Sequence, residues 1–221
     1  MIYNPHTLTP IVRHTDGKYV GCFIDIGIRN MCIRFSKFDP ESGKIEGIHN
    51  QKFDFDYSKG NKRRKAVLDE RLDIGKAQDK FAQLTQEFSK LRDTFSTCHY
   101  IVMEKQLGTT DNVEVSEYTL GLLSGLIMDR GSRPIIIKLD SRVKTKMLDM
   151  PRGKDPKMWC LNKSVEILSE NIGECDWKLS KDILIMPTTG TNKSLDIADV
   201  VCYCWVFWNR YILRGRVDKP S

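Results

Sequence analysis

Val20-Gly21-Cys22-Phe23-Ile24-Asp25-Ile26-Gly27-Ile28-Arg29-Asn30 sets one acid inside an apolar run. Residues 19–27 read as a buried strand, closed by a Gly27-Ile28-Arg29-Asn30 turn in which Gly and Asn tolerate positive φ. An unpaired charge among buried positions is costly, so Asp25 calls for a partner. Met31 to Phe38 follows as a second strand. A turn at Asp39-Pro40-Glu41-Ser42-Gly43 leads to a third, Ile48 to Tyr57, whose Phe53, Phe55 and Tyr57 alternate as on a half-buried strand. Three strands joined by short turns make an antiparallel meander.

Further along, the period changes. Val67, Leu68, Leu72, Phe81, Leu84, Phe88 and Leu91 recur at spacings of three and four, predicting a helix over Lys65–Thr94 with a break at Gly75. His99–Gln106 is a fourth strand, carrying Glu104 after Tyr100-Ile101-Val102-Met103. Asn112–Arg130 is a helix, ended by Gly131, and Pro134 opens a fifth strand, Ile135–Leu139. Residues 140–156 read as a basic connection, Pro156–Asn171 as a helix, Ile183–Met186 as a short apolar segment, and Ser194–Leu213 as a last, very apolar helix. Strands four and five are reached through helical crossovers and therefore lie parallel to strand one. The expected architecture is α/β: a five-stranded mixed sheet, three antiparallel strands with two parallel additions, flanked by helices. Residues 1–221 form one domain, with 1–17 as an arm or edge strand.

Composition bounds the function. Apolar content of 40% and charged content of 29% are those of a globular chain. No apolar run reaches the ~18 residues of a membrane span, and Met1 to Pro10 lacks a signal-peptide core, so neither a membrane nor a secretory role is expected. Seven cysteines with no CxxC pair fit reduced, buried thiols in an intracellular compartment better than zinc or disulfides. The net charge of +6 is concentrated. Lys59 to Lys65 holds five cations and no acid. Lys138, Arg142, Lys144, Lys146, Arg152 and Lys154 crowd the connection after strand five. Such runs suit contact with a phosphate backbone, although a solvated face is their commonest meaning.

The acids carry the chemistry. In this topology strands one and four are neighbours, which brings Asp25 beside Glu104. Asp196 and Asp199, spaced i and i+3, share one face of the last helix, for which Ser194 is a plausible N-cap. Taken singly, Asp196 could serve only the helix dipole, and Glu104 could pair with Lys105 or an arginine. Asp25 has no such ordinary role. Together the four supply hard oxygen ligands for two Mg²⁺ or Mn²⁺ ions, which about 4 Å apart can clamp a phosphodiester, activate water and stabilise the leaving oxygen. His6, His14, His49 and His99 share no spacing, Cys160 and Cys175 have no histidine order behind them, and Gly108-Thr109-Thr110 lacks the lysine of a phosphate loop.

Phe23-Ile24-Asp25-Ile26-Gly27-Ile28-Arg29-Asn30, Ile101-Val102-Met103-Glu104-Lys105-Gln106 and Lys193-Ser194-Leu195-Asp196-Ile197-Ala198-Asp199-Val200, in this order, resemble the Holliday-junction resolvases of poxviruses, relatives of bacterial RuvC and of fungal mitochondrial resolvases. The resemblance implies a ribonuclease H-like fold and metal ligands at Asp25, Glu104, Asp196 and Asp199. It implies Mg²⁺-dependent endonuclease cleavage of four-way DNA by a homodimer that makes paired symmetric nicks. The setting it implies is resolution of viral concatemers in the cytoplasm of the infected cell. Arg29, Asn30, Lys105, Gln106 and Lys193, beside the acids, join Lys138, Arg142, Lys144, Lys146 and Lys154 as expected DNA contacts. The helix Val115–Arg130, apolar around much of its circumference, is a candidate dimer contact. A ribonuclease H, another branched-DNA nuclease, or a non-catalytic nucleic-acid-binding protein on the same frame are the alternatives.

Overall fold

The computed structural model describes residues 17–27, 30–54, 74–106, 110–128, 134–170 and 193–213. The strands are β1 (Tyr19–Ile26), β2 (Asn30–Phe38), β3 (Ile45–Asp54), β4 (Tyr100–Lys105) and β5 (Ile135–Asp140). The helices are α1 (Ile74–Lys90), α2 (Arg92–Ser96), α3 (Thr110–Met128), α4 (Ser141–Met147), α5 (Pro156–Glu170) and α6 (Lys193–Phe207). A π-helical turn, Trp208–Leu213, continues α6. The five strands form one sheet in the order β3-β2-β1-β4-β5. β1–β2 and β2–β3 are antiparallel, whereas β1–β4 and β4–β5 are parallel, as the crossovers require.

Central β1 is buried on both faces, so its sequence runs nearly continuously apolar instead of alternating. Its pleat still sorts the side chains. Cys22, Ile24 and Ile26 face a core built with Leu84 and Phe88 of α1, Phe95 of α2, and Val115, Leu123 and Ile127 of α3. Phe23 faces the opposite core, with Val102 of β4, Leu139 of β5, and Val200, Tyr203, Cys204 and Phe207 of α6. α5 packs outside α6 through Cys160, Ile167 and Leu168 against Val201, Cys202 and Val206. Trp208 closes the second core. It stacks on Phe38 at 5.1 Å and donates its indole N–H to Ser36 Oγ at 3.0 Å. It also lies so close to β1 that a Cβ on Gly21 would stand 2.6 Å from its ring, so this contact requires glycine.

Four boundaries differ from expectation. β3 begins at Ile45, three residues early, because buried Ile45 pairs with Phe38 after an Asp39–Lys44 turn. The helix expected through Thr94 breaks at Leu91, and α2 swings Phe95 onto Phe35 and Phe88 at 5.6 and 5.3 Å. The basic connection contains α4, whose N-cap Asp140 accepts a hydrogen bond from the Arg142 amide at 2.9 Å. The final helix changes to π-helical winding at Trp208. The expected arm at 1–17 (but for Gly17), residues 55–57 of strand three, residues 65–73 of the long helix and the Ile183–Met186 segment lie outside the described residues.

Candidate active site

Parallel pairing sets Ile24 of β1 opposite Met103 of β4. The next residue on each strand is an acid. Both point to the face covered by α6, because Phe23 and Val102, two positions back, belong to that core. Asp25 and Glu104 therefore stand side by side on neighbouring strands. Burial first, then the hydrogen bond to Glu104 and its charge, then Asp199, push the Asp25 pKa well above the carboxylate range, while Lys144 opposes them. Gln106 leans on Glu104 from beyond the strand end, its amide N–H₂ 3.4 Å from Oε2.

α6 delivers the other two acids. Asp199 forms an ion pair with Lys144 of α4, a lysine whose side chain is only 9% exposed. The Lys144 ammonium also lies 5.2 Å from the centre of the Tyr203 ring. Burial works against this ammonium, but Asp199 and Glu104 outweigh it and raise its pKa, so Lys144 stays charged. Asp196, one turn earlier, turns the other way. Its Oδ2 meets Lys52 Nζ of β3 at 2.7 Å. Lys52 stands opposite Cys32, and Cys32 opposite Asp25, so Lys52, Cys32, Asp25 and Glu104 form one row across the sheet beneath α6.

Two nucleophiles of other kinds are silenced. The Tyr203 hydroxyl donates to the Leu139 carbonyl at 3.1 Å. Burial, then Glu104, Asp25, Asp140 and Asp199, raise its pKa and keep it protonated. The Cys202 thiol donates to the Cys160 carbonyl at 3.5 Å, and hydrogen bonding to Cys160 and burial raise its pKa.

Of the predicted acids, Asp25 and Glu104 stand side by side, and Asp199 and Asp196 pair with Lys144 and Lys52. Among the described residues no three His, Cys, Asp or Glu side chains close into a ready ligand set. The donor chemistry nevertheless fits divalent cations. Four oxygen-bearing acids from three elements lie toward the face that α6 covers, two of them paired with lysines, and a hard cation offsets negative charge of this kind directly.

The predicted DNA contacts separate into groups. Lys105, Lys146 and Lys154 are exposed. Arg142 is 80% exposed and gripped by Asp140 at 2.6 Å, which holds the Asp140 pKa down at about 2. Lys138 binds Glu117 of α3 at 2.5 Å. Lys144 lies among the acids instead of on the outer face. Arg29 lies outside the described residues, as do the side chains of Asn30 and Lys193. Lys52 is the site residue that sequence reading missed. Its only signal was a charged residue at a position of strand three whose period points under α6.

A five-stranded mixed sheet in the order 3-2-1-4-5 flanked by helices is a ribonuclease H-like fold. The fowlpox virus Holliday junction resolvase is similar at 17% identity over 86% of this chain and 98% of its own, with a TM-score of 0.50. The yeast mitochondrial Holliday junction resolvase Ydc2 is similar at 16% identity over 95% and 85%, with a TM-score of 0.51. Thermus thermophilus RuvC is similar at 11% identity over 91% and 99%, with a TM-score of 0.51. This likeness is one of fold. No protein-family model and no curated protein matches the chain.

Proposed function

We propose that the protein is a divalent-metal-dependent endonuclease that resolves four-way DNA junctions. The observation that carries this reading is the placement of Asp25 and Glu104 on neighbouring strands beneath α6, which bears Asp196 and Asp199, on a fold similar to that of the Holliday-junction resolvases. Asp25, Glu104, Asp196 and Asp199 would hold two Mg²⁺ ions, with Mn²⁺ as a substitute; bound there, the ions supply an activated water and neutralise charge on the phosphate. The residues of the chain do the rest. Asp25, whose pKa burial raises, would ionise to become a ligand. Lys144 keeps a permanent positive charge against the phosphate. Arg142 and the exposed Lys105, Lys146 and Lys154 line the DNA path beyond the ends of β4 and β5.

A junction has two strands to cut at symmetric positions, so we assign a homodimer. The outer face of α3 supports this. Glu117, Gly121, Gly125 and Met128 recur along its exposed side, Met128 is 80% exposed, and a Cβ on either glycine would meet nothing within 4 Å. The biological substrate on this reading is branched viral replication DNA in the cytoplasm of the infected cell. Among the described residues no helix is long and apolar enough to cross a membrane. The described cysteines are free thiols, as a reducing compartment keeps them.

A supercoiled plasmid that extrudes a cruciform tests the reading. With Mg²⁺ the expected early product is linear DNA, from two nicks in one binding event. Nicked circles alone would refute the dimer. An uncut cruciform beside a degraded RNA–DNA hybrid would replace the resolvase with a ribonuclease H.

A further inference from the structure

Among the described cations that follow β5, only Lys144 is buried, and the helix that carries it is poorly equipped to hold it there. α4 spans seven residues, of which Lys144 alone is buried. Two turns with no buried apolar side chain of their own are too short to persist without help. We propose that Asp140 is a positioning residue, which by capping α4 directs Lys144 onto Asp199. Its part in cleavage rests on the endonuclease reading above; its hold on Lys144 does not.

β5 passes into α4 with no loop between them. Asp140 is at once the last residue of the strand and the N-cap of the helix, with an extended backbone at φ −66° and ψ 132°. Leu139, one residue earlier, stands opposite Glu104 in the sheet, so the cap lies at the level of the acids. The Asp140 carboxylate makes two kinds of contact. Oδ1 accepts the Arg142 amide N–H at 2.9 Å, satisfying one of the open donors of the first turn. Oδ1 and Oδ2 also accept from the Arg142 guanidinium, Nε at 3.0 Å and Nη2 at 2.6 Å. Arg142 is thereby folded back over the cap on the solvent side. Residues two apart on a helix point about 200° apart, so an outward Arg142 puts Lys144 on the opposite side, toward Asp199. Asp199 and Tyr203 receive the ammonium, but both belong to α6; the start and direction of α4 are set at Asp140.

Acylation of the full metal-free chain by an N-hydroxysuccinimide ester, read lysine by lysine by mass spectrometry, tests the hold without metal or DNA. A buried, paired ammonium reacts slowly. Asp140→Ala should raise the labelling rate of Lys144 about fivefold through loss of the cap. Lys52, nearly as buried and paired with Asp196, should label as in wild type. Asp140→Asn, which still caps, should label Lys144 near the wild-type rate. Unchanged labelling of Lys144 in Asp140→Ala overturns the proposal. Equal rises at Lys144 and Lys52 overturn it too, because they mean a loss of stability throughout the fold. Junction cleavage in Mg²⁺, with protein in saturating excess, tests the consequence. Asp140→Ala should slow it about fivefold, and Asp140→Asn should restore it. A loss that Asp140→Asn does not restore would trace to the Arg142 ion pair and overturn the capping role. Undiminished cleavage in Asp140→Ala would overturn the part in the reaction. If wild type cuts no junction while the labelling pattern holds, the endonuclease reading falls and the hold of Asp140 on Lys144 stands.

Discussion

The two halves of the site handle negative charge in different ways. On the sheet, Asp25 and Glu104 stand side by side, and burial together with Glu104 raises the Asp25 pKa well above the carboxylate range. On α6, Asp196 and Asp199 each take a lysine, Lys52 and Lys144. The sheet acids project from the two central strands of a packed sheet and have little freedom to turn outward. The helix acids sit on the first turns of α6 and have lysines within reach. On the metal-site reading, a cation would compete with the Asp25 proton on one side and with the lysine ion pairs on the other. Uptake of metal is therefore expected to depend on pH through the sheet and on lysine substitution through the helix.

The largest effect that would separate the halves is on cleavage. Asp25→Asn and Glu104→Gln should lower junction cleavage at least about 10³-fold in Mg²⁺ while leaving junction binding intact. Gel-shift and cleavage assays on the same preparations check this. Cleavage near the wild-type rate would remove the sheet acids from the chemistry.

On the helix side, Lys144→Met strips Asp199 of its partner. Breaking a largely buried pair costs about 3 kcal/mol, and water reaching Asp199 trims this to about 2 kcal/mol, to be read from urea unfolding of the metal-free protein. Loss of cleavage with unchanged stability would make Lys144 a purely chemical residue. A control between the halves is Gly21→Ala. The added Cβ would overlap the Trp208 ring, in a core with no room to move, and should cost about 2 kcal/mol without touching an acid.

A smaller effect belongs to pH. The raised Asp25 pKa means that the folded metal-free protein keeps a proton that the unfolded chain releases near the ordinary value of 3.8. Folded protein then binds more protons than unfolded, so stability falls as pH rises from that value through the folded-state pKa. Asp25→Asn should flatten this fall, as thermal melts across pH would show. An equally steep fall in the variant would place the titration elsewhere. The smallest effect is expected at the rim, where Arg142→Ala should weaken junction binding only about threefold and reduce the salt slope by less than one, because Asp140 already neutralises part of its charge.

The two halves were also unequally legible in the sequence. An acid inside Phe23-Ile24-Asp25-Ile26 is anomalous in a local pattern, and crossover rules alone put its strand beside that of Glu104. The partners of the helix acids leave no local trace. Lys52 is 144 residues from Asp196, and Lys144 is 55 from Asp199. Lys144 reads as one more cation in a basic run. Only α4, a seven-residue helix with few apolar positions, turns it inward. Helix periods survive in sequence because packing repeats them. The end of an edge strand such as β3, or a break such as Leu91, is decided by which single side chain finds cover, here Ile45 and Phe95.

The central claim is that acids from the sheet and from α6 form one metal site. Mn²⁺ binding to DNA-free wild type, Asp25→Asn and Asp199→Asn, followed by calorimetry or by the electron paramagnetic resonance of free Mn²⁺, tests it most directly. The account predicts that wild type binds Mn²⁺ and that each variant, one from either half, loses at least about tenfold in affinity. Wild-type affinity in either variant would show that its half of the site takes no part in holding the metal.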